Sequence, residues 1–165
     1  MVRARLWYGP AGHGVDLERV AHYLRGPLAC DLEMRVRPHL GHWVDQIEIR
    51  TPLPVGVEML RTPDISGEAE DLVRRLPTDA PPALARRLAA CTARLDFRDV
   101  ANARPFHPAA GIARSILTPL AFAMDGIVEE VGAGRLRFEP LPEPERGYGV
   151  FLRRLAQMLE AIRRR

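Results

Sequence analysis

The 165-residue chain is 47% hydrophobic and 27% charged, the balance of one globular domain, and this leaves out disordered, collagen-like and membrane classes. All 24 basic residues are arginine, so a Walker A phosphate grip, a pyridoxal Schiff base and a kinase Lys–Glu pair are excluded for want of a lysine. The net charge of +3 is matched by the last three residues, Arg163, Arg164 and Arg165, so the basicity belongs to a tail and not to a face that tracks phosphates.

Arg3–Tyr8 reads as a first strand, and Gly9–Gly14 as a turn. Asp16 is placed to cap a short helix with Leu17, Val20, Ala21 and Leu24 on one face, stopped by Gly26-Pro27. In Cys30–Arg37 the apolar set Cys30, Leu32, Met34, Val36 alternates strictly with Asp31, Glu33, Arg35, Arg37, predicting a strand with one buried and one wet face. Trp43–Arg50 is a second such strand, joined to the first through a short hairpin link. Pro52 and Pro54 interrupt the chain, and Val57–Leu60 reads as a short edge strand.

A helix is expected from Ser66, with Glu70–Arg74 and Asp71–Arg75 as i,i+4 pairs, and a second from about Ala83 to Cys91. Arg94–Arg98 alternates again with Leu95 and Phe97 inward. Phe106–Met124 is expected to be a buried core helix, not a membrane anchor, bent or split at Pro119 with Thr118 capping the second piece. Ile127–Val131 and Arg135–Phe138 form a predicted hairpin around Gly132-Ala133-Gly134, and Tyr148–Arg165 a last amphipathic helix. The class that follows is α+β: one domain over residues 1–165, a mostly antiparallel sheet, and helices packed on one face.

Cys30 and Cys91 lack zinc or CxxC spacing and read as buried, reduced thiols. The start MVRARLWYGP has no apolar stretch of a signal peptide, so a cytoplasmic location is expected. Gly9–Gly14 follows a strand and precedes a helix, the position of a phosphate grip, but its glycine spacing differs from that fingerprint and Asp16 sets a carboxylate at the helix start. His39 and His42 with Asp45 are the candidate metal ligands. Cys91 with His107 is the candidate nucleophile–base pair. Asp125, Glu129 and Glu130 are candidate acid–base carboxylates, with a turn Asp and an exposed strand edge as the plainer expectation.

The wet row of the central hairpin is the leading candidate surface for a partner: Glu33, Arg35, Arg37, Glu48 and Arg50, joined by Arg153, Arg163 and Arg164 of the last helix. At Met124-Asp125-Gly126-Ile127-Val128, followed by Gly134-Arg135-Leu136, an apolar helix runs into a D-G turn and a hairpin. Over residues 106–138 this resembles small bacterial α+β immunity proteins of polymorphic or contact-delivered toxin systems. The resemblance implies a non-catalytic inhibitor that binds another protein, a cognate toxin, and needs no cofactor. Three functions therefore stand side by side. They are a cytoplasmic protein-binding module of this immunity or antitoxin type, a small enzyme with a His/carboxylate or metal site at His39, His42 and Asp45, and a nucleic-acid binder working through its C-terminal arginines.

Overall fold

The computed structural model describes residues 1–9, 14–36 and 44–138, without the side chains of Val44 and Asp45. Seven strands and four helices follow in the order β1 (Val2–Tyr8), α1 (Leu17–Arg25), β2 (Asp31–Val36), β3 (Val44–Thr51), β4 (Val55–Leu60), α2 (Asp64–Arg74), α3 (Pro82–Ala89), β5 (Ala93–Arg98), α4 (Gly111–Met124), β6 (Ile127–Glu130) and β7 (Arg135–Arg137). The strands form one sheet in the order β2-β3-β4-β5-β1-β6-β7, and every neighbouring pair is antiparallel. The fold is α+β. No described helix is long and apolar enough to cross a membrane.

Period-two alternation divides the sheet into two faces. Leu32, Ile47, Ile49, Val55, Val57, Leu95, Phe97, Ala4, Leu6, Tyr8 and Val128 point to one side and form the main core with α1 and α4. α1 begins where predicted: the Asp16 carboxylate accepts from the Arg19 amide at 2.8 Å, and Leu17, Val20, Ala21 and Leu24 are buried beneath it. On the opposite side Trp7 and Ile127 pack with Ile65, Ala69, Leu84, Leu88 and Cys91. Helices thus lie on one face as expected only for α1 and α4. α2 and α3 cover the β1–β6 end of the other face, because Trp7 and Ile127 give it an apolar patch within an otherwise charged row.

Several boundaries differ from the sequence reading, each for a physical reason. β4 is an interior strand between β3 and β5, not an edge, because the proline-bearing segment 52–54 is a tight turn that returns the chain alongside β3. α2 starts at Asp64, ahead of Ser66, and this brings Ile65 into the second core. On its surface Arg74 pairs with Asp71 rather than Glu70, while Arg75 Nε donates to the Asp71 carbonyl at 3.2 Å. α4 starts at Gly111, since His107 precedes Pro108 and is steered away from helical backbone; the turn closes with the Ala110 amide donating to the His107 carbonyl. It runs unbroken through Pro119, so Thr118 caps nothing. The helix ends in a Schellman-type turn, with Asp125 in the left-handed region at φ 51° and the Gly126 amide donating to the Ala121 carbonyl at 2.8 Å. Gly126 is required here: a Cβ would sit 2.7 Å from Leu6 Cδ1 and 2.8 Å from the Trp7 carbonyl oxygen. The expected helix over Tyr148–Arg165 lies outside the described residues.

Candidate functional site

The β2–β3 hairpin carries the predicted binding row. Its register sets Glu33 opposite Glu48 and Arg35 opposite Gln46. Two like charges face to face would repel. The repulsion is relieved on the diagonals, where Arg50 Nη2 pairs with Glu33 and Arg35 Nη2 with Glu48 at 2.5 Å. Four of the named residues, Glu33, Arg35, Glu48 and Arg50, are therefore brought together as a locked row of alternating sign. Arg37, Arg153, Arg163 and Arg164 lie outside the described residues.

The apolar side of this hairpin is not buried as the alternation predicted. Cys30 and Leu32 enter the main core, but Met34 and Val36 are 36% and 44% exposed. The sheet extends past the ground that α1 covers.

Toward the sheet centre the charged face gathers a second set of ionic side chains, desolvated at Asp96, Arg94 and Glu129 and partly solvated at Glu68 and Arg98. Asp96 of β5 is 2% exposed and receives Arg94 Nε at 2.8 Å, with Arg5 Nε and Arg98 Nη2 each 3.8 Å away. Arg94 also pairs with Glu68 of α2, and Arg98 with Glu58 of β4. Glu129 accepts from Trp7 Nε1 at 2.8 Å and lies 3.5 Å from Arg5 Nη1. Arg94 stacks over the Trp7 ring, 5.1 Å from its centroid. Three arginines and four carboxylates compensate one another within one cluster, which fixes the sheet face beneath α2 and α3. Its contacts are those of a structural network, in which Arg5 Nε and Arg98 Nε find no hydrogen-bond partner among the described residues.

Glu129 and Glu130 are buried, against the expectation of an exposed strand edge. Glu130 is held by Arg135 and Arg137 of β7 at 2.7 and 2.6 Å. Asp125 is likewise buried in its turn and pairs with Arg87 of α3. These carboxylates are used up in ion pairs spanning separate elements, and they do not converge on a shared opening as an acid–base pair would. Local sequence gave no sign of this: R-L-D-F-R and I-V-E-E read as half-wet strands, and their covering helices come from residues 64–89.

Cys91 sits in the α2–α3 core, its thiol against the Arg87 carbonyl at 3.4 Å, and burial pushes its pKa up to about 12, with Arg87 opposing. Burial also raises the pKa of Cys30. Both thiols are thus held protonated, the opposite of nucleophile activation. His107 Nδ1 accepts from the Ala109 amide at 3.2 Å, a loop contact ahead of α4. His39 and His42 lie outside the described residues, as does the Asp45 side chain. Among the described residues no three His, Cys, Asp or Glu side chains are grouped to hold a metal ion. Gly9 serves packing: a Cβ there would stand 2.5 Å from the Ala90 carbonyl oxygen at the end of α3. With Asp16 already occupying the α1 N-terminus, the described part of that loop is not arranged as an anion grip.

A groove of about 500 Å³ runs between the α2–α3 connection and the β6–β7 hairpin, walled by Leu72, Leu76, Pro81, Val131 and Leu136, with Arg75, Asp79 and Glu129 also in its lining. No family model matches this chain, and neither a curated protein nor a solved structure matches it.

Proposed function

We propose that this chain is a cytoplasmic protein-binding module that inhibits its partner by covering a surface, as an immunity protein covers its toxin. The observation that carries the reading is the β2–β3 row: Glu33, Arg35, Glu48 and Arg50, joined by two ion pairs on the sheet face opposite the one that α1 covers. Side chains already held in their bound geometry lose less freedom on association. A row of alternating sign selects its partner by charge register, and it raises the association rate at low salt.

The products of the genes beside its own are the partners to test. Each is purified, mixed with the chain, and assayed by size-exclusion chromatography and calorimetry. The expected result is one stoichiometric complex that Arg50→Glu and Glu48→Arg each weaken about tenfold while the thermal melt is retained. Binding that ignores both reversals, or no complex with any of these proteins, rejects the reading.

A further inference from the structure

We infer that β2 is a self-association edge: two copies of the chain pair β2 against β2, antiparallel, about a two-fold axis through Met34. This rests on the reading of the hairpin as a binding surface and names a second copy as an occupant of its edge.

Three observations carry it. Among the described strands β2 ends the sheet, and all of its residues except Leu32 are exposed, including Met34 and Val36. The Leu32 carbonyl is turned away from β3 toward the open edge, where Arg25 Nη2 donates to it at 3.2 Å, a contact that the second copy replaces on pairing. Alternate residues of a strand direct their backbone groups to the same edge, so the amide and carbonyl of Met34 emerge there as well.

The third observation is the charge order of D-L-E-M-R-V. Centred on Met34, antiparallel pairing sets Glu33 opposite Arg35 of the second copy and Arg35 opposite its Glu33. The same register sets Leu32 opposite Val36 and Met34 opposite Met34. Moving the axis to Glu33 or Arg35 sets like charges face to face. An axis between residues sets apolar against charged side chains. One register therefore satisfies every pair, and it is isologous, as a closed dimer requires. An edge guarded against its own copy carries like charges, a proline or a bulge toward solvent. The two irregularities of the β2–β3 pairing put their extra residue on β3, at Arg50 and Asp45, and β2 carries one acid and one base flanking an apolar residue, which does not oppose self-pairing in this register.

Six residues of strand edge bury less than a standard interface, so the dimer dissociates in the micromolar range. Sedimentation velocity on the full chain, from about 1 to 500 μM, is expected to show a reversible monomer–dimer equilibrium. Glu33→Arg sets two arginine pairs across the axis, and Arg35→Glu sets two glutamate pairs. Each variant alone is expected to lose about tenfold in self-affinity. Mixed one to one they restore dimer, because the two arginines flanking Met34 in the first variant then meet the two glutamates flanking it in the second. Circular dichroism melts confirm that both variants fold. A wild type that stays monomeric throughout overturns the inference, as does a mixture no more dimeric than its components. Neither result bears on a complex with a different protein, which is measured separately above.

Discussion

The hydrogen bond between Trp7 and Glu129 ties the first strand to the sixth, beneath the second helical layer. Trp7 is fully buried and Glu129 nearly so, and the 2.8 Å bond has a carboxyl oxygen as its acceptor, with Arg5 beside it. Trp7→Phe keeps an aromatic ring in place but removes the donor, leaving Glu129 with Arg5 at 3.5 Å. A buried hydrogen bond to a charged group contributes about 1.5–3 kcal/mol. The lost part of the indole leaves a gap costing about 1 kcal/mol more. The expected destabilisation is thus about 2.5–4 kcal/mol, a large share of the ~5–15 kcal/mol that holds a domain folded. At this chain length it lowers the melting temperature by about 10 °C. Trp7→Phe, Glu129→Ala and the double variant form a cycle whose coupling energy isolates the bond, expected at about 1.5–3 kcal/mol. Urea unfolding followed by far-ultraviolet circular dichroism measures it without relying on tryptophan emission, which the variants alter. A coupling below about 0.5 kcal/mol would refute the claim that this bond anchors the second core.

Three further outcomes are expected. Gly9→Ala forces a methyl within 2.5 Å of the Ala90 carbonyl oxygen and should cost about 1–3 kcal/mol, read from a thermal melt; an unchanged melt would mean that α3 does not approach β1 so closely. Asp16→Ala removes the α1 cap and should cost about 1 kcal/mol, whereas Asp16→Asn should recover most of it in the same chemical-denaturation assay. The Cys91 thiol titrates near 9.0 when unfolded and near 12 when folded, so its contribution is whole below pH 9 and lost as pH rises toward 12. From pH 8 to pH 10 wild type should therefore lose about 1.4 kcal/mol more stability than Cys91→Ala, and parallel stability–pH curves for the two proteins would contradict the burial of the thiol.

The elements legible in the sequence are those whose signals are local. The Asp16 cap, the alternation of β2 and β3, and the D-G turn into the β6–β7 hairpin each reside within a few residues, and the structure places them within one or two positions of the expectation. What local pattern does not carry is who covers whom. Met34 and Val36 alternate as well as Leu32 does, but alternation reports that a face is apolar and says nothing of whether a helix reaches it. Glu129 and Asp96 have the residue type of a wet face, and they are buried because arginines on neighbouring strands neutralise them and helices from a distant stretch close over them. β4 reads as an edge from its prolines, yet strand order is decided by long-range pairing, which those prolines leave intact beyond the turn. Of the candidate binding row, Glu33, Arg35, Glu48 and Arg50 were legible because strand parity alone puts them on one face. Their diagonal pairing was not, since it depends on the inter-strand register.

One sheet face thus bears two groups of ion pairs with different physical weight. At the centre of the Asp96 cluster, Asp96 and Arg94 are desolvated, and removing one strands the other in low dielectric at a cost of about 3–5 kcal/mol, while Glu68 and Arg98 at its rim stay partly solvated. At the β2–β3 row the side chains of Glu33, Arg35 and Arg50 are more than half exposed, and such pairs contribute between about 0 and 1 kcal/mol each. The hairpin charges are therefore nearly dispensable to the fold, whereas the cluster is not. Reversals at Glu33, Arg35, Glu48 or Arg50 consequently report on association with little change in stability, and the same reversals at Arg94 or Asp96 report on folding. Should a hairpin reversal unfold the protein as severely as one at Asp96, the row would be part of the framework, and its role as a docking surface would lose its physical basis.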